Sequence, residues 1–118
     1  MKINLLVLRT SRLEDVRAFY SMLGAKFQRE QHGNGPEHYA AILGDDFVLE
    51  LYPCVDGAMP DSGLRLGVKV GNIGDVLRSI GQPVVPRQTQ WGLRALVRDP
   101  DGRTVELLQS QSGATFAA

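Results

Sequence analysis

Leu5-Leu6-Val7-Leu8-Arg9-Thr10-Ser11-Arg12-Leu13-Glu14-Asp15-Val16 is an apolar run leading into a helix-start pattern, and it returns as Arg65-Leu66-Gly67-Val68-Lys69-Val70-Gly71-Asn72-Ile73-Gly74-Asp75-Val76. The stretches match at a constant offset of 60: Leu6 with Leu66, Leu8 with Val68, Leu13 with Ile73 and Val16 with Val76. Each copy therefore places an apolar strand before an amphipathic helix. Farther on, Val48-Leu49-Glu50-Leu51 is echoed by Thr104-Val105-Glu106-Leu107 at an offset of 56, so the second copy is shorter between its helix and its last strand. Length changes of that kind belong in loops.

Working outward, Ser11 is placed to cap a helix whose first turn carries Glu14 and Asp15, where carboxylates suit the helix dipole. Leu13, Val16, Phe19, Tyr20 and Leu23 recur at threes and fours as one apolar stripe, and Gly24 supplies a left-handed stop. Phe19 and Tyr20 read as core. Strands are expected near Lys26 to Glu30, Tyr39 to Leu43 and Phe47 to Tyr52, with Gly33-Asn34-Gly35-Pro36 turning the chain between the first two. In the second copy Asn72 caps a short helix and Gly81 ends it. Pro83 and Pro86 remove backbone donors, which makes Val84 to Gln90 an edge strand. Asp99-Pro100-Asp101-Gly102 is a tight turn before a last strand at Thr104 to Gln109. The order is strand, helix and three strands, twice. It makes one domain over 1–110, with module one at 2–53, a linker at 54–63, module two at 64–109 and a loose tail at 111–118.

Composition narrows the function. A chain of 118 residues buries roughly two-thirds of its unfolded surface, enough for one core without metal or disulfide staples. Thirteen basic residues balance thirteen acidic ones, so no net field draws the chain to nucleic acid or a membrane surface. A single cysteine, Cys54, and the absence of a transmembrane run or signal-peptide pattern fit a cytoplasmic setting. Gly33-x-Gly35 leads into Pro36 and a strand rather than a helix, so it is no dinucleotide loop.

The layout, with Phe19-Tyr20-x-x-Leu23-Gly24 on the first helix and Asp99-Pro100-Asp101-Gly102 before Val105-Glu106-Leu107, resembles the vicinal oxygen chelate superfamily. That group includes glyoxalase I, bleomycin resistance proteins and extradiol dioxygenases. The resemblance spans almost the whole chain, from Lys2 to about Gln109. It implies an α+β fold of two βαβββ modules forming a curved mixed-sheet cup with helices on the convex face. In metal-dependent members His or Gln on the first strand and Glu on the last strand of each module hold the ion. Those places fall here on Leu5, Glu50, Arg65 and Glu106. Leu has no donor atom, and a permanently protonated Arg repels a cation.

The expected function is accordingly a small-molecule-binding protein of the glyoxalase and bleomycin-resistance type, with an organic ligand in a cup lined by Leu5, Glu50, Tyr52, Arg65, Trp91 and Glu106. Arg65 would pair with a glutamate or meet an acidic group of the ligand. Tyr52 shares the Glu50 face by strand alternation, and Trp91 stands at the cup mouth. No cofactor is favoured. Glu50 and Glu106 are weak candidates for a divalent metal, which would make the chain a lyase, isomerase or dioxygenase; a third alternative is an interaction domain whose cup is filled by its own side chains. His32 and His38 are expected as solvated residues of the first hairpin turn, while a shifted register that put His38 in the cup would revive a metal. Arg9 and Lys69 read as solvated strand ends. The resemblance also implies a homodimer.

Overall fold

Alternation within the strands decides which way each sheet faces. In the computed structural model, which describes residues 1–110, the first copy runs β1 (Leu5–Thr10), α1 (Leu13–Met22), β2 (Gln28–Glu30), β3 (His38–Leu43) and β4 (Phe47–Pro53). The second runs β5 (Arg65–Lys69), α2 (Ile73–Ile80), β6 (Arg87–Thr89), β7 (Gly92–Arg98) and β8 (Thr104–Gln109). The expected tail at 111–118 lies outside the described residues.

Each copy forms its own four-stranded mixed sheet, ordered β1-β4-β3-β2 and β5-β8-β7-β6. In both, the first and last strands of the module pair in parallel, with Val7 opposite Glu50 and Gly67 opposite Glu106, while the remaining pairs are antiparallel. Strand β6 is an edge, as its flanking prolines require. Leu8, Leu49 and Leu51 point to one face and bury against Val16, Phe19 and Tyr20; Val97, Val105 and Leu107 do the same against Ile73 and Leu77. Each such side chain contributes about 1.5–3 kcal/mol. The alternate residues, including Glu50, Tyr52 and Glu106, therefore stand on the faces away from the helices.

The helix ends differ. Asn72 Oδ1 accepts the Asp75 amide at 2.9 Å, and Gly81 closes α2 at φ 71°. Asn72→Ala should therefore cost about 1 kcal/mol; a urea midpoint unchanged by the substitution would remove the cap from the account. At α1 the expected Ser11 cap does not form. The residue before the helix is Arg12 without a side-chain cap, and it is the hydroxyl of Thr10, buried at the end of β1, that accepts the Arg12 amide at 2.9 Å.

A polar staple joins the modules. The Tyr20 hydroxyl on α1 donates to Asp99 Oδ2 at 2.7 Å, and Arg103 Nη1 donates to the same oxygen at 3.1 Å. Asp99 Oδ1 accepts the Asp101 and Arg103 amides and so shapes the β7–β8 turn, while Arg103 Nη2 reaches the Arg9 carbonyl at 2.7 Å. Even so, the molecule is elongated, 48 × 32 × 22 Å, with a radius of gyration of 15.2 Å. A compact chain of this length would give about 13.5 Å. The residues that face away from the helices stand on two separate sheets, and an apolar hollow opens between the modules. Among the described residues, no helix is long and apolar enough to cross a membrane.

Candidate functional site

The faces turned away from the helices hold all the strand residues singled out above. On module one, Leu5 is half exposed on β1, and Glu50 and Tyr52 follow each other on the same side of β4. The Tyr52 ring stacks on His38 with centroids 4.0 Å apart and planes at 11°, and the Arg9 guanidinium lies 5.4 Å from the centre of the Tyr52 ring. Arg9 is exposed, as expected of a strand end.

His38 is the clear departure from the sequence reading. It begins β3 rather than lying in a solvated turn, and it is 1 % exposed. Tyr52 covers one side of the ring, and Glu30 stands directly opposite across the β2–β3 pair. His32, by contrast, is exposed as expected. Its ring centre is 5.0 Å from that of His38.

On module two, Glu106 lies between two guanidiniums. Arg65 Nη2 on β5 is 3.5 Å from Glu106 Oε1, and Arg94 Nε on β7 makes a charge-assisted hydrogen bond to the same oxygen. One carboxylate facing two cations leaves a local excess of positive charge. Arg94 was not singled out from the sequence, although the signal was there: Ala95 and Val97 are buried, so Arg94 and Leu96 share the opposite parity. Trp91, over half exposed in the β6–β7 turn, borders a hollow of about 500 Å³ with Gly67, Arg94, Glu106 and Leu108. Gly67 lines the same hollow beside the Glu106 carboxylate.

The six residues are thus brought together as two sets of three, not as one. Leu5, Glu50 and Tyr52 belong to the first sheet; Arg65, Trp91 and Glu106 belong to the second. Their hollows are distinct, the one beside Glu50 enclosing about 430 Å³. Both faces carry exposed apolar side chains: Leu5 and Ile42 on the first, Trp91 and Leu96 on the second. A further apolar hollow of about 650 Å³ opens between the modules, where Leu6, Tyr20, Leu49 and Leu66 meet, and Ile42 and Arg65 also line it.

Comparison with known proteins places this geometry. No family model matches the chain, and no curated protein matches it by sequence. Solved structures do. TnmS3, an antibiotic binding protein from Streptomyces sp. CB03234, superposes with a TM-score of 0.69 at 27% identity, over 94% of this chain and 97% of that one. A glyoxalase/bleomycin resistance protein from the same organism gives a TM-score of 0.65 at 28% identity, over 92% of this chain and 100% of that one. At 16% identity, a glyoxylase/bleomycin resistance protein/dioxygenase domain from Frankia sp. EAN1pec shares the fold, with a TM-score of 0.66 over 94% of this chain and 98% of that one.

Proposed function

We propose that this chain, a member of the vicinal oxygen chelate superfamily, is a small-molecule-binding protein whose ligand is an organic compound with an apolar body and an acidic or electron-rich oxygen. The observation that carries the reading is the Arg65–Glu106–Arg94 cluster beside the exposed Trp91 ring. Two guanidiniums sharing one carboxylate retain donors and charge for an acidic group, and bidentate guanidinium contacts give such recognition its geometry. Trp91 and Leu108 offer the apolar wall, as ligand pockets commonly do. The antibiotic-binding relative is of like kind.

The four positions that hold the ion in metal-dependent relatives do not fit one in this chain. Leu5 supplies no donor, and Arg65 and Arg94 already neutralise Glu106. No step through an ion at those positions is therefore part of the reading.

The separation of the two sets supports a dimer in which the Leu5–Glu50–Tyr52 face of one chain meets the Arg65–Trp91–Glu106 face of its partner. Such pairing closes a cup that one elongated chain leaves open, and it covers Ile42 and Leu96. Sedimentation should report two chains of 12.9 kDa each; a monomer at micromolar concentration contradicts this arrangement.

Trp91 is the single tryptophan, so its fluorescence reports the face directly. Titrating the protein with a panel of aromatic carboxylic acids and polycyclic antibiotics should yield a saturable change for at least one compound. Ligand at 100 times its dissociation constant should also add about 2.7 kcal/mol of stability. Arg94→Glu should weaken that binding by more than about tenfold, the worth of one charge-assisted hydrogen bond. A panel without any saturable response, in a protein that is folded and dimeric, favours a cup filled by its own side chains.

A further inference from the structure

We propose that Glu30, His32 and His38 form a binding site for one divalent transition-metal ion of the zinc type. The site lies on β2, β3 and the turn between them, apart from the four positions discussed above.

His38 is the starting point. Its Nδ1 is 3.2 Å from the Pro36 carbonyl oxygen, to which it donates, so Nε2 is the ring nitrogen left for another partner. That nitrogen is buried and has no hydrogen-bond partner. It faces Glu30 Oε2 at 3.6 Å and Glu50 Oε2 at 3.7 Å, both too far for a hydrogen bond. A metal ion held between this nitrogen and the Glu30 carboxylate would supply the partner that the buried atom lacks.

The spacing is that of donors around an ion. Two ligands about 2.0–2.2 Å from a tetrahedral centre stand roughly 3.3–3.6 Å apart. His32 Nε2 is 3.5 Å from the same Glu30 oxygen, and the donor atoms of Glu30, His32 and His38 all lie within 4.8 Å of one another. Glu30, with Glu50 close by, supplies the negative charge that imidazole donors lack. A set containing imidazole nitrogen suits zinc, cobalt or nickel better than calcium or magnesium, which take oxygen donors. The Pro36 carbonyl fixes the His38 tautomer in the way a second coordination shell does. The hollow of about 430 Å³ lined by Glu30 and Glu50 gives the ion a way in.

The test is a titration of the chelator-stripped full chain with Zn²⁺ against a chromophoric chelator, repeated with Co²⁺ to read the visible bands of a four-coordinate ion. One ion per chain is expected. His32→Ala is the first variant because His32 is exposed and its loss leaves the core intact; Glu30→Gln is the second, and it keeps the side chain's volume. Each should weaken Zn²⁺ binding on the order of 100-fold and abolish the cobalt bands, with circular dichroism unchanged. Asp46→Asn, on the exposed β3–β4 turn, should bind as the unmodified chain does. Failure of the chain to take up a stoichiometric ion overturns the proposal, and so does equal affinity in both ligand variants. Neither outcome bears on the organic ligand, whose binding is read separately at Trp91.

Discussion

Asp99→Ala is expected to lower the free energy of unfolding by about 3 kcal/mol, the lower end of the cost of breaking a buried ion pair, because Arg103 keeps Asp101. Arg103 is 1 % exposed, and its Nη1 would lose Asp99, keeping only Asp101 and the Arg9 carbonyl as partners for the guanidinium. The Tyr20 hydroxyl would lose its acceptor as well, and with it the polar link between α1 and the second module. Urea unfolding of the variant measures the loss; a change below about 1 kcal/mol would put the staple among ordinary surface pairs. The same cluster makes an alkaline prediction. Burial, reinforced by the hydrogen bond to Asp99, pushes the Tyr20 phenol well above its ordinary value. A raised folded-state value means that the stabilisation is complete below the unfolded phenol's titration near pH 10 and is lost as pH climbs from there. Tyr20→Phe should therefore show a shallower loss of stability above about pH 10 than the unmodified chain, and identical slopes would contradict the assignment.

The second large effect separates two neighbours on β8. Leu107 is fully buried against the helix side, so Leu107→Ala should cost about 2–5 kcal/mol through lost burial and the cavity left behind. Glu106, one residue earlier and on the opposite face, is partly exposed beside Arg65 and Arg94. Glu106→Gln should change stability by no more than about 1 kcal/mol while altering ligand affinity measured at Trp91. Calorimetry and fluorescence titration on both variants check the pair. A mild Leu107→Ala, or a Glu106→Gln that unfolds the chain, would reverse the assignment of faces.

How far the sequence led can be traced residue by residue. The constant offset between Leu6–Val16 and Leu66–Val76 carried the two modules, because a strand and its following helix are encoded by local periodicity. Alternation placed Glu50 with Tyr52, opposite Leu49 and Leu51, for the same reason. His38 escaped because its burial depends on residues that periodicity does not connect: Glu30 across a hairpin and Tyr52 on the next strand. The Gly33–Pro36 turn beside it gave a local signal for solvent, and the long-range contacts won. The Asp99 turn was legible, but its bond to Tyr20 joins residues 79 positions apart and has no local signature. The Ser11 cap does not form, and the Thr10 hydroxyl at the end of β1 instead accepts the amide of Arg12, the residue before the helix. The division of the six candidate residues between two sheets is likewise a matter of how the modules stand, which no spacing within either copy records.

That division makes the central claim testable by mixing chains. Leu5→Arg places a charge on the face of module one, and Arg94→Glu removes a cation from module two; each alone should abolish the Trp91 response to the best ligand of the panel. After subunit exchange at equal concentrations, half the dimers are mixed, and in each of these one cup receives both intact faces. The account predicts that about a quarter of the unmodified binding sites return on mixing. A mixture that binds no better than either variant alone would place the cup within a single chain and contradict it.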